Sequence, residues 1–332
     1  MFKAWRWLCA AVFVLAAWVA WSGYQPLQVG AGVQIEVRHG DSLYALTHRL
    51  GERGILPGAW GLLLYEHLWA RDVRLVAGVY PLQKGLDGWG LLRLLSDSPG
   101  RYVQRVTLVE GMTWQMLEQR LHQQADLVWP AGSGDWTAAL APTGGRLEGW
   151  LAPDTYGYVP GLPVRVLLAS MLRRQQKLLA VAWAERDPGL PYQTPYQALI
   201  MASLIEKETG ATEERRHIAG VFVHRLRLGM RLQTDPSVIY GLGETYHGRL
   251  RSADLRTPTP YNTYRIQGLP PTPIAMPGRA ALWAAVHPLS TDDLYFVARG
   301  DGHHVFSATL PEQNAAVQRY QRHRRADYRS HL

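Results

Sequence analysis

Thr194-Pro195-Tyr196-Gln197-Ala198-Leu199-Ile200-Met201-Ala202-Ser203-Leu204-Ile205-Glu206-Lys207-Glu208-Thr209-Gly210 is the stretch on which the fold turns. Threonine is a helix N-cap and proline suits the first helical position, so a helix is expected to start here. Ala198 to Ile205 is apolar nearly all round, which marks a buried helix. Glu206 follows directly. Ala202 and Ser203, one turn back, are small and leave room beside its carboxyl. Partial burial disfavours a carboxylate, and a carboxylic acid still protonated near neutral pH can protonate a departing oxygen. The helix pattern alone fits better a solvated helix end in which Glu206 pairs with Lys207 or a nearby arginine. Glu208 lies about 200° further round and is expected to face elsewhere.

Downstream, Thr212 is expected to cap a second helix with Glu213 and Glu214 in its first turn, where the helix dipole favours acids. Ile218, Phe222 and Leu226 form its buried stripe and Gly229 ends it. Gln233, Thr234 and Asp235 then sit in a loop before Pro236. They suit hydrogen bonds to sugar hydroxyls or to a carboxyl, and they suit an Asp-Pro turn equally. Thr259-Pro260-Tyr261-Asn262-Thr263-Tyr264 and Gly268-Leu269-Pro270-Pro271 make an aromatic, turn-rich stretch. Residues 294–298 and 303–307 read as a hairpin, so His303 and His304 are strand residues rather than metal ligands. No spacing suits a metal, and no phosphate or dinucleotide fingerprint occurs, so neither a metal nor a cofactor is expected.

Upstream, Leu147-Glu148-Gly149-Trp150 to Tyr156 is a sugar-stacking surface or a packed loop. Val33 to Val37 alternates as a strand does, and Gly40-Asp41-Ser42 forms a capping turn before a helix with Leu43, Leu46 and Leu50. Further segments are a helix near 60–70, a strand at 75–82, a helix at 89–95 and a strand at 102–109. At the start, Lys3 and Arg6 precede an apolar run from Trp7 to Trp21. Counted to Tyr24 it reaches roughly 18 residues, near the length of a membrane span. The flanking positives favour an N-terminus in the cytoplasm and the rest of the chain outside, an uncleaved anchor being preferred to a cleaved signal peptide because bulky Trp18 and Trp21 spoil a cleavage site.

The net charge of +8 over 332 residues is spread among acidic residues, except for Arg319, Arg322, Arg324, Arg325 and Arg329, read as a solvated terminal helix. No nucleic-acid motif occurs, so no nucleic-acid partner is expected. Cys9 is the single cysteine, which excludes an internal disulfide.

Four segments in this order, Leu204 to Thr209, Gly229 to Pro236, Thr259 to Tyr264 and Gly268 to Pro271, resemble those of the endolytic murein transglycosylases, the YceG-like family. Leu147-Glu148-Gly149-Trp150 with Pro153-Asp154-Thr155 resembles that family's entry into its catalytic domain. The early strand-turn-helix resembles a LysM module, which binds N-acetylglucosamine polymers; a structural role is equally open. The resemblance implies cleavage of the β-1,4 bond between N-acetylmuramic acid and N-acetylglucosamine without water. The muramic C6 hydroxyl attacks C1 and leaves a 1,6-anhydro end, terminating nascent strands. Glu206 takes the family's acid/base position, and no second carboxylate is demanded.

The fold class expected is therefore α+β: a transmembrane helix at 7–24 after a cytoplasmic residue 1–6, a LysM-like module at 33–105, and a mixed helical and β catalytic domain at 106–325. Glu206 is the expected catalytic residue, with Gln233, Asp235, Tyr261 and Asn262 as substrate-binding candidates. Expected partners are peptidoglycan glycan strands, the inner membrane and cell-wall synthases. The expected location is the inner membrane, single-pass, with the catalytic domain in the periplasm. A non-catalytic glycan-binding scaffold and a hydrolytic glycosidase are the alternatives.

Overall fold

The computed structural model describes residues 7, 10, 13–14, 17–19, 21–29, 34–38, 40–56, 75–82, 84–97, 104–131, 136–142, 145–158 and 160–322. These divide into two compact units. One comprises the chain up to Val106 with Asp126–Val128 and Gly157–Pro163; the other comprises Thr107–Ala125, Trp129–Tyr156 and the chain from Val164.

In the first unit, β1 (Gln34–Val37) and β2 (Gly78–Pro81) pair antiparallel, Ile35 opposite Tyr80. Period-two alternation puts Ile35 and Val37 in the core and leaves Glu36 outward. Between the strands, α1 (Leu43–Glu52) starts at Ser42, whose hydroxyl accepts from Ala45 N at 3.1 Å. Leu46 and Leu50 from α1 meet Leu91 and Leu95 from α2 (Gly88–Asp97) in one apolar cluster. Arg49 donates two hydrogen bonds to Asp41, which hold that carboxyl below its usual range. The helix expected near 60–70 lies outside the described residues.

The chain continues with β3 (Gln104–Leu108), which forms a two-stranded sheet with β4 (Asp154–Tyr158). The second unit contains α3 (Trp114–His122), α4 (Val164–Ala184), α5 (Pro195–Glu208), α6 (Arg215–Arg227), α7 (Asp235–Leu242) and α8 (Arg279–Val286). A hairpin of β5 (Tyr295–Ala298) and β6 (His304–Ser307) and then α9 (Leu310–Val317) complete it. The helix expected at 194–210 is α5. Thr194 caps it reciprocally with Gln197, and every residue from Ala198 to Ile205 is buried. Side chains of α4, α6 and α8 close round it, among them Leu179, Phe222, Ala281 and Leu282. An apolar circumference thus puts α5 at the centre of the unit. Gly220 on α6 admits the chain after α8, since a Cβ there would stand 2.2 Å from the Leu289 carbonyl oxygen.

Two expectations change. Thr212 does not cap α6: residues Thr212–Glu214 form a 3-10 turn and the threonine hydroxyl accepts from Arg215 Nη1 instead. The membrane anchor expected at 7–24, and the inner-membrane location built on it, are overturned. Among the described residues no helix is long and apolar enough to cross a membrane. Even as a helix throughout, the run counted to Tyr24, about 18 residues, would extend about 27 Å against a hydrocarbon core of about 30 Å. Part of that stretch, and Arg324, Arg325 and Arg329, lie outside the described residues.

Candidate active site

Glu206 lies in the last turn of α5 with its side chain only 4% exposed. Gly278 N, at the N-cap of α8, donates to Oε2 at 2.8 Å, and Arg215 Nη2 donates to Oε1 at 3.2 Å. Of the two readings left open by the sequence, the solvated helix end is not what is found: the carboxyl is buried, although it is paired with an arginine. Burial raises its proton affinity above the ordinary carboxylate range. The Gly278 N–H and Arg215 oppose that shift, and the charge of Glu110 adds to it.

Small residues on α5 make this geometry possible. Ser203 donates to Ile200 O at 2.7 Å and accepts from Ile274 N at 3.0 Å. The space beside the last turns of α5 is thus taken by the 274–278 segment, which delivers the Gly278 N–H to Glu206. Gln175 of α4 donates to Pro277 O at 3.0 Å and steadies the same segment. The Gly111 N–H donates to Met276 O at 2.9 Å and Met276 N to Met112 O at 2.8 Å, which fixes the loop before α3 against it.

A cleft of about 1390 Å³ opens across the end of α5 and is lined by Glu206, Glu208, Arg225, Gln233, Asp235 and Tyr264 among others. Glu208 was expected to face away from Glu206. Because the cleft crosses the helix terminus, carboxyls from both sides of α5 reach it. Glu208 accepts a hydrogen bond from the Thr234 hydroxyl, and burial pushes its pKa up to about 7. The folded protein thus binds this proton more tightly than the unfolded chain does. Stability from this group is full below pH 4.5 and is lost as pH rises toward about 7. Glu208→Gln is therefore expected to stabilise the protein at pH 8, by up to about 3 kcal/mol, and to change little at pH 4.5. Thermal melts at the two pH values check this; equal shifts at both would contradict it.

Gln233 has φ of 54°, the one positive value among described non-glycine residues. Its N–H donates to Thr263 O at 3.2 Å, and its Oε1 accepts from Arg225. A left-handed glutamine is uncommon and persists where its surroundings hold it. Here two partners do so on the cleft wall. Asp235 opens α7 and accepts from the Tyr264 hydroxyl at 2.6 Å.

The family model "YceG-like family" matches residues 35–319. The chain belongs to the YceG-like family. The protein named endolytic murein transglycosylase in Bacillus subtilis (strain 168) is 29% identical over 309 residues, covering 87% of this chain and 84% of that one. The Streptococcus pneumoniae R6 protein of the same name is 30% identical over 259 residues, covering 68% of this chain and 46% of that one. A crystal structure of a YceG-like protein from Listeria monocytogenes aligns with a TM-score of 0.51 at 25% identity, covering 85% of this chain and 98% of that one. The stretch matched by the family model contains every residue of the Glu206 cluster.

Of the five residues expected at the site, Glu206, Gln233 and Asp235 line the cleft and Tyr261 and Asn262 do not. Asn262 is fully buried and donates its amide to Asp254 O, Leu255 O and Thr257 O, holding its own loop. Tyr261 packs edge-on to Tyr240, and its hydroxyl is paired with Thr272. Glu110, Arg215 and Arg225 were missed. Each is one charge among many in the sequence, and its role appears only with its partner. Arg225 is buried and donates to Arg231 O, Leu294 O and Gln233, so it ties three segments to the cleft wall. Glu148 caps α3 through the Trp114 N–H at 3.1 Å and accepts from the Tyr240 hydroxyl at 3.1 Å. Burial lifts its pKa to about 7, but it does not line the cleft. Trp150 stacks on Tyr196 in the interior, so that segment is a packed loop.

Proposed function

We propose that the chain is an endolytic peptidoglycan lytic transglycosylase with Glu206 as its acid and base. A single observation carries this: a largely buried glutamate of raised proton affinity sits at the edge of a wide cleft, held by one N–H and one arginine. The names of the Bacillus and Streptococcus relatives add support.

Neutral Glu206 donates its proton to the oxygen linking N-acetylmuramic acid C1 to N-acetylglucosamine C4. That C1–O bond breaks. The muramic C6 hydroxyl then bonds to C1 and gives its proton to the Glu206 carboxylate, which ends as it began. No water enters the products. A second carboxylate, which two-carboxyl glycosidases need, has no part. Gln233 and Asp235 are the candidates for holding sugar hydroxyls.

Residues 106–325 would form the catalytic domain. Residues 33–105 would form a LysM-like module that holds the strand, a reading supported by the antiparallel β1–β2 pair and the Ser42-capped helix between them. Cutting nascent strands would terminate their elongation, work suited to a position beside the synthases.

Long glycan strands treated with the protein are expected to shorten at internal bonds. Mass spectrometry is expected to find 1,6-anhydro ends, one water or about 18 Da below reducing ends. Only reducing ends would leave hydrolysis, and no shortening would leave a binding protein.

A further inference from the structure

Arg215 serves two carboxylates. Its Nη2 lies 3.2 Å from Glu206 Oε1 and 3.9 Å from Glu110 Oε2. Arg215 and Glu206 are nearly sealed from solvent, whereas Glu110 is half exposed on the cleft wall. The position of Glu110 is built in. Its loop is bonded to Met276 from both sides, and its carboxyl lies over the Cα of Gly278. A Cβ at 278 would come within 1.8 Å of Glu110 Oε1. Glycine at that position thus makes room for one carboxyl while its N–H holds the other.

The first step proposed for Glu206 needs it neutral. A neutral Glu206 leaves the buried Arg215 cation without its countercharge unless another carboxylate is within reach. Glu110 is in reach of the same nitrogen. We propose that Glu110 is a positioning residue: it shares Arg215 with Glu206 and takes the guanidinium over whenever Glu206 carries a proton. Glu206 can then hold a proton at the leaving oxygen and receive one back afterwards.

This rests on the reading of Glu206 as acid and base. The groups that bear on Glu206 are Arg215 from α6, Glu110 from the loop before α3 and the Gly278 N–H of the α8 N-cap. On its own helix, Lys207 donates to Gly111 O at 3.3 Å and Glu208 is engaged by Thr234. The negative charge of Glu110 therefore raises the pH at which Glu206 loses its proton, and Arg215 lowers it.

The test is the pH profile of kcat/KM for strand cleavage by Glu110→Gln, which keeps the shape and removes the charge. The alkaline limb is expected to move down by about one pH unit, with activity about tenfold lower at pH 8 and close to wild type at pH 5. Gly278→Ala, whose Cβ displaces the Glu110 carboxyl and keeps the backbone N–H, is expected to shift the limb in the same direction. An unshifted limb in either folded variant, with or without a uniform fall in rate, overturns the proposal. Glu206→Gln run alongside separates the two claims. If it is inactive while the limb stays put, only the role of Glu110 fails. If it keeps the wild-type rate, the acid/base reading fails as well.

Discussion

Glu206→Gln is expected to lower kcat for glycan-strand cleavage by about a thousandfold or more while leaving the fold in place. General acid–base catalysis contributes roughly 10²–10⁴ in rate, and here one group serves as both acid and base. A thousandfold loss corresponds to about 4 kcal/mol of transition-state stabilisation. Glutamine is nearly isosteric, and its amide oxygen can keep one of the two contacts made by the separate carboxylate oxygens, with Gly278 N–H or with Arg215. It cannot give a proton to the leaving oxygen. Because the side-chain shape is kept, KM is expected to change much less than kcat. Steady-state rates on solubilised strands, with circular dichroism as the control for folding, check this. A variant that cuts at the wild-type rate would remove Glu206 from the reaction.

Arg215→Met is expected to destabilise the protein, and more so at high pH. Arg215 and Glu206 side chains are 8% and 4% exposed, so solvent screens their pairing little. Removing one partner of such a pair costs about 3 kcal/mol or more when the other stays charged. For a domain of this size that is a fall in Tm of roughly 10 °C. The sign with pH follows from the same charges. Arg215 lowers the proton affinity of Glu206, so its loss raises that affinity further above the usual carboxylate range. At pH 5 the variant escapes much of the cost by protonating Glu206. At pH 8 it must bury an unpaired carboxylate. Melts of wild type and variant at the two pH values are expected to differ more at pH 8. A pH-independent difference would mean that Arg215 acts by packing alone. The activity limb is expected to move upward in this variant, opposite to Glu110→Gln.

The sequence is most legible where one side chain decides one thing. Thr194 and Pro195 open α5, the apolar run from Ala198 to Ile205 buries it, and Gly229 lies just past the end of α6. The β5–β6 hairpin likewise falls where 294–298 and 303–307 are expected to pair. Legibility fails where a residue's role depends on what arrives from far along the chain. Ser203 reads as space beside a carboxyl, yet that space is filled by Ile274, 71 residues on. Asn262 reads as a sugar ligand because it is polar among aromatics, yet its amide is consumed by its own loop. Glu208 reads as facing away because helix periodicity stops at the helix end while the cleft does not. Glu110 is 96 residues from Glu206, and local patterning carries no trace of that pairing through Arg215. The apolar N-terminal run was read from composition and count, and composition alone did not make it a span among the described residues.

The most direct measurement is cleavage of glycan strands in water enriched in oxygen-18, followed by mass spectrometry of the new ends. If Glu206 passes the muramic C6 hydroxyl proton to itself and no water reacts, the new ends carry no heavy oxygen and run as 1,6-anhydro species. Ends heavier by one oxygen-18 would mean that water attacks C1, and would contradict the lytic role given to Glu206.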